Sequence, residues 1–141
     1  MDQALIEYDP TMQGQFGNKT VLVVDDEEHV RSITELMLSQ FGLKVLTAED
    51  GLDGIRQVQA HGDLIDLVIM DLTMPKMNGE RAFREMRQIR PEIRVLLTSG
   101  YNESEATSLH EAGIVGFLQK PFELEDLLKA VEKGLEETPI S

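Results

Sequence analysis

Thr20-Val21-Leu22-Val23-Val24-Asp25-Asp26 runs five strand-forming residues straight into two aspartates. A continuous apolar, β-branched run without polar alternation marks a strand buried on both faces, as in a parallel sheet. The next segment has the other period. Val30, Ile33, Leu36, Met37 and Phe41 recur at helical spacing, and Gly42 closes them off. The same alternation then repeats along the chain. Lys44-Val45-Leu46-Thr47-Ala48 reads as a second strand, followed by a helix that carries Leu52, Ile55 and Val58 behind an Asp50 cap. Leu64 to Met70 is the third strand and the most apolar one. A helix from about Asn78 holds Ala82, Phe83, Met86 and Ile89 and stops before Pro91. Ile93 to Leu97 is a fourth strand, 102–112 a more polar helix, and Ile114 to Leu118 a fifth strand. Leu124, Leu127, Leu128, Val131 and Leu135 then form a clean helical stripe. Five βα units in a row predict one α/β domain, a doubly wound parallel sheet with helices on both faces.

Outside this core, residues 1–18 mix Gly, Pro, Gln and Asp without a period and read as a tail or linker, with a local contact from Phe16. Residues 138–141 read as a frayed end, which leaves 19–137 for the domain. A chain of 141 residues suits one domain rather than two. At this size folding buries roughly 68–70% of the extended chain's surface, so a core forms without staples. Cysteine is absent, which excludes disulfides, thiolate zinc sites and cysteine nucleophiles. Lys+Arg 13 against Asp+Glu 26 gives −13, which argues against nucleic acid and anionic membrane surfaces as partners. No apolar stretch approaches the ~20 residues that cross a bilayer, and nothing reads as a signal peptide, so a cytoplasmic location is expected, either for the chain itself or as a cytoplasmic piece of something larger.

In open α/β sheets, functional groups collect just past the carboxyl ends of the strands. Strand one ends at Asp25-Asp26, strand three at Asp71, strand four at Thr98-Ser99 and strand five at Lys120-Pro121. Three carboxylates, two hydroxyls and an ammonium therefore converge on one edge. Crowded carboxylates raise one another's pKa unless a cation lies between them, and an all-oxygen set of this kind suits Mg2+. A carboxylate beside such an ion and a lysine is a nucleophile toward phosphorus, with Thr98 placed to donate to the new phosphoryl oxygen.

Each group also has a purely structural use. Asp25-Asp26-Glu27-Glu28 before a helix is ordinary dipole and capping chemistry. Asp71 and Thr98-Ser99-Gly100 suit common turns, and Lys120 alone is a surface lysine. The conjunction at four strand ends is what points to a site. Met70, Met74, Met77 and Met86 read as packing, His29, His61 and His110 show no ligand spacing, and glycines 51, 54 and 62 read as helix-start, packing and turn residues.

VLVVDDEEHVR, LTAEDG, DLVIMDLTMPKMNGE, VLLTSGY and GFLQKPF, in this order and spacing over about Lys19 to Glu137, resemble the receiver (response-regulator) domains of bacterial two-component systems. The resemblance is strongest to the C-terminal receivers of hybrid sensor histidine kinases, which would make the chain the cytoplasmic receiver portion of a larger membrane kinase, with a free-standing single-domain regulator as the other origin left open. It implies a flavodoxin-like (βα)5 fold with strand order 2-1-3-4-5 and five helices. It also implies that Asp71 accepts a phosphoryl group from a phosphohistidine. Asp26 would be a direct Mg2+ ligand, Asp25 would act through water, and Asp71 with the Thr73 backbone carbonyl would complete the protein ligands. Lys120 would hold the phosphoryl group ahead of a cis peptide at Pro121, and Thr98 with Phe117 would form a switch pair; Phe117 is otherwise a plain strand-five core residue. The helix at 102–112 would be the element remodelled on phosphorylation.

Implied partners are a sensor histidine kinase or a histidine phosphotransfer domain, with a homodimer also open. Thr73 and Gly100 beside the site bear no carboxylate or amide to orient water, which predicts weak self-dephosphorylation. With no output domain in the 141 residues, direct transcriptional control is not expected. A phosphorylation-independent pseudo-receiver is the alternative, and the complete Asp25, Asp26, Asp71, Thr98 and Lys120 set speaks against it. An FMN module would need a hydroxyl- and glycine-rich loop where Asp25 to Glu28 stand. An aspartate-nucleophile phosphatase would place a second aspartate where Thr73 stands.

Overall fold

The computed structural model describes residues 16, 18–100 and 112–136. The tail at 1–15, the helix expected at 102–112 (but for Ala112) and the end at 138–141 lie outside the described residues. Nine elements follow in order: β1 (Thr20–Val24), α1 (Glu28–Ser39), β2 (Lys44–Ala48), α2 (Gly51–His61), β3 (Leu67–Asp71), α3 (Gly79–Ile89), β4 (Val95–Ser99), β5 (Ile114–Gln119) and α4 (Leu124–Glu136). All strand pairs are parallel, and the order across the sheet is β2-β1-β3-β4-β5.

Alternation along the strands divides the core in two. Leu22, Val24, Val68, Met70, Val95 and Leu97 face α2 and α3, where they meet Val58, Ala82, Phe83 and Met86. Val21, Val23, Leu67, Ile69 and Leu96 face the other way, onto Leu38 of α1 and Leu127, Leu128 and Val131 of α4. Phe16, only 2% exposed, belongs to this second cluster, so the first described residue is part of the core. No helix among the described residues is long and apolar enough to cross a membrane.

Several details depart from the hydropathy reading. β3 begins at Leu67, not Leu64, because the amides of Leu64 and Ile65 donate back to the carbonyls of His61 and Gly62 and so belong to the turn before the strand. β4 is shifted likewise, to Val95–Ser99, since Ile93 is used to bond Arg90 in the preceding turn. Both shifts carry the strands further toward their carboxyl ends. Asp71, Thr98 and Ser99 are thus strand residues with ladder geometry rather than loop residues.

The helix faces differ too. On α1 the buried residues are Thr34 and Leu38, while Ile33 and Leu36 are exposed. On α2 the buried residues are Gly51, Gly54 and Val58, and Leu52 is exposed. A Cβ at Gly54 would lie 3.0 Å from Met86 Cε and 3.1 Å from Val24 Cγ2, so the helix needs its smallest side there. Asp50 caps α2 by accepting from Asp53 N, as its position suggests, and Asn78 does the same for α3 through Arg81 N. Gly42 ends the α1 connection with φ 88°, a left-handed conformation that favours glycine.

Candidate functional site

The described residues contain five buried polar or charged side chains, Asp25, Thr34, Asp71, Thr98 and Ser99, and four of them stand at the carboxyl edge of the sheet. Buried polar groups cost stability unless partnered, so their concentration at one edge calls for a reason. The backbone supplies the placement. Asp25 N bonds Ala48 O at the end of β2, Leu72 N bonds Thr98 O, and Lys120 N bonds Ser99 O. Asp71 and Thr98 are direct register partners on adjacent strands. By strand alternation both share the face of Leu67, Ile69 and Leu96.

The three aspartates meet as the strand ends suggest. One carboxylate oxygen from each of Asp25, Asp26 and Asp71 lies within 4.8 Å of the others; Asp25 and Asp71 are buried and Asp26 is exposed. Lys120 Nζ reaches Asp25 Oδ2 at 2.9 Å and Asp71 Oδ2 at 3.2 Å. The other oxygens are also held: Asp25 Oδ1 accepts from Glu27 N at 2.9 Å, and Asp71 Oδ1 from Thr73 N at 3.2 Å. The Lys120–Pro121 peptide is cis.

Burial pushes the Asp71 carboxyl up from 3.8 to about 6; the Lys120 charge opposes this and the Asp25 charge adds to it. For Lys120, burial works against the charged form, but the hydrogen bond to Asp25 and the charges of Asp71 and Asp25 outweigh it and raise the ammonium above its ordinary range. Three carboxylates against one ammonium leave two negative charges over, which a divalent cation would cancel. An all-oxygen donor set with one member open to solvent fits a hard ion that keeps part of its water shell, as Mg2+ does.

Phe117 is half-buried on β5 and packs against the α2/α3-side cluster; its register partner is Leu97, while Thr98 pairs with Leu118. Thr73 is exposed directly after Asp71 and Leu72.

Three residues join the site that the sequence reading did not single out. Glu27 Oε1 lies 3.2 Å from Lys120 Nζ. Arg31 Nη1 donates to the Asp25 carbonyl at 2.6 Å, from one turn into α1. Gly79, first in α3, packs on the backbone of Asp71: a Cβ there would sit 2.5 Å from the Asp71 carbonyl oxygen. The one sequence signal for Gly79 is a glycine at the first helical position behind a good Asn78 cap, where a side chain is normally preferred. Glu27 and Arg31 carry no such mark.

Comparison with known proteins gives one answer. The family model for the response regulator receiver domain matches residues 21–132. The chain is 36% identical over 121 residues to sensor kinase CckA of Brucella abortus, covering 85% of this chain and 13% of that protein. It is 33% identical over 117 residues to the chemotaxis protein CheY of Bacillus subtilis, covering 82% of this chain and 96% of that one. Among solved structures, a response regulator receiver domain protein from Clostridium thermocellum superposes with a TM-score of 0.78 at 30% identity, over 83% of this chain and 94% of that one. The match thus extends over nearly the whole of a single-domain relative and only a small part of a kinase.

Proposed function

The chain belongs to the response regulator receiver domain family of two-component signalling, and from that premise we propose that it accepts a phosphoryl group onto Asp71 and changes its partner-binding surface in response. The observation that carries this reading is the Lys120 ammonium seated on two buried carboxylates, Asp25 and Asp71, at an edge with negative charge to spare. A structural ion pair does not need two buried acids to one base, and such an excess is the mark of a site that takes a further cation.

In the proposed reaction an Asp71 carboxylate oxygen attacks the phosphorus of a phosphohistidine. The new O–P bond gives an acyl phosphate, and the N–P bond breaks with its electron pair leaving on the imidazole. Lys120 holds a phosphoryl oxygen, and the Thr98 hydroxyl, on the neighbouring strand in register with Asp71, donates to another. Thr73 N already donates to Asp71 Oδ1 and fixes the direction of the carboxylate. Asp25, Asp26, Asp71 and the Thr73 carbonyl would hold Mg2+, which when bound neutralises charge on the transferring group. Movement of Thr98 toward the phosphoryl group, followed by Phe117, would carry the local charge change to the binding surface.

The phosphoryl donor would be a sensor histidine kinase or a histidine phosphotransfer domain, in the cytoplasm, and the chain's role is signalling rather than turnover of an external substrate. The test is intact mass after incubation with acetyl phosphate and Mg2+, beside Asp71→Ala and a metal-free control. One added phosphoryl group, absent from both controls, is expected. No adduct in the wild type, with no beryllofluoride binding, would refute the reading in favour of a phosphorylation-independent binding module.

A further inference from the structure

Lys120 has a third carboxylate partner besides Asp25 and Asp71. Glu27 Oε1 stands 3.2 Å from Nζ, contributed by a residue 93 positions away in sequence. Glu27 occupies the N-cap of α1, with φ −86° and ψ 110°, yet its side chain makes no capping hydrogen bond. A residue at that position ordinarily turns its side chain onto the first helical amides. Here the carboxylate points instead across the sheet edge to the ammonium.

An ammonium has three donors, and Asp25 at 2.9 Å, Glu27 at 3.2 Å and Asp71 at 3.2 Å account for three. A phosphoryl oxygen that reaches Lys120 before its phosphorus is bonded to Asp71, while Asp71 is still a carboxylate, therefore has to displace one of them. The side chains of Asp25 and Asp71 are 5% and 6% exposed, that of Glu27 60%. Freeing a buried carboxylate leaves an unpaired charge in a low dielectric, whereas water replaces the partner of an exposed one at little cost. Glu27 is the contact that yields.

We propose that Glu27 is a positioning residue acting through Lys120: an exchangeable counterion that holds the ammonium over Asp25 and Asp71 before phosphorylation and gives up its place to the phosphoryl group. This rests on the phosphoacceptor reading of Asp71. Removing the Glu27 charge frees a lysine donor and takes a negative charge out of the path of an anionic donor, so phosphorylation becomes faster. The gain is about 2- to 5-fold, the worth of one exposed ion pair.

The experiment compares Glu27→Gln with Glu28→Gln in the full chain. Glu28 is an exposed acid in the same first turn and is absent from the Lys120 contacts, so it controls for charge alone. Two quantities are read: the 15N resonance of the Lys120 ammonium in metal-free protein, and the rate of adduct formation with acetyl phosphate and Mg2+ at low and high ionic strength. Expected are a moved Lys120 resonance and a faster rate in Glu27→Gln only, with the gain shrinking as salt rises. A phosphorylated wild type with Glu27→Gln no faster than Glu28→Gln, or with an unmoved Lys120 resonance, overturns the exchange alone. A wild type that takes no phosphoryl group and binds no beryllofluoride overturns the function and the exchange together.

Discussion

Gly79→Ala separates close packing at the site from ordinary helix propensity, because the two predict opposite signs. Gly79 opens α3, and in an unobstructed helix alanine is better than glycine by about 1 kcal/mol. The structure leaves no room for that gain. An added Cβ would lie 2.5 Å from the Asp71 carbonyl oxygen and 2.8 Å from Leu72 Cα. Both atoms are backbone at the end of β3, which is hydrogen-bonded to β1 and β4 on its two sides. Gly79 N also donates to Leu72 O at 2.8 Å, so the helix start is held there as well. Neither side yields without breaking ladder or turn bonds. Overpacking of this kind costs about 1–3 kcal/mol net, which lowers Tm by some 3–10 °C in a domain of this size. Displacing Asp71 should also slow the proposed phosphorylation. The comparison is Gly100→Ala, where an added Cβ meets nothing within 4 Å; it should leave stability within about 0.5 kcal/mol. Thermal melts and urea midpoints of both variants decide the matter. A Gly79→Ala protein that melts at or above the wild-type temperature, or falls no further than Gly100→Ala, refutes the packing argument.

Three other outcomes are expected. In the fold Asp71 keeps its proton up to about pH 6, against 3.8 for an ordinary aspartate. The folded metal-free chain therefore binds more protons than the unfolded one between those values, and stability falls as pH rises from about 4 to 6; Asp71→Asn removes that fall and is more stable at pH 7 by roughly 1–3 kcal/mol, measurable by urea titration at several pH values. Mg2+ at ten times its Kd should stabilise the wild type by about 1.4 kcal/mol, and Asp26→Ala should lose most of that rise in a thermal melt. Arg94 Nη1 donates to the carbonyls of Gly134 and Leu135 at the end of α4, so Arg94→Ala should cost about 1–2 kcal/mol in urea midpoint while leaving phosphorylation of Asp71 unchanged.

The sheet was legible because its strands are buried on both faces, and a strand such as Leu67–Asp71 can then be read from a continuous apolar run alone. The helix faces were less so, because hydrophobicity is a poor guide where backbones approach closely. Leu52 and Leu36 weigh heavily in any apolar stripe, yet Gly54 and Thr34 are the buried neighbours; at Gly54 the space over β1 and against Met86 admits little more than a hydrogen. The grouping of Asp25, Asp26, Asp71 and Lys120 followed from where the strands end, a rule of topology. Glu27, Arg31 and Gly79 escaped it because their places depend on how the loops after β1 and β3 turn back onto the strand ends. No periodicity encodes such a return.

The sheet order itself explains why a lysine closes this site. β5 is two strands away from β3, with β4 between them, which at ~4.8 Å per strand is about 10 Å. A short side chain on β5 cannot span that gap. The four-carbon stem of Lys120 can, and it does so partly covered, leaving 14% of the side chain exposed. Asp25 follows β1 and Asp71 ends β3, both inside the sheet and both buried, and burial is what pushes the Asp71 carboxyl up. One long cation from the edge strand is then enough to keep the arrangement folded and too little to neutralise it. A second cation is what the remaining imbalance favours, and the same imbalance makes Asp71 destabilising in its absence. The local conflict between folding and charge at this edge is therefore the physical basis of the site, set by strand order as much as by residue type.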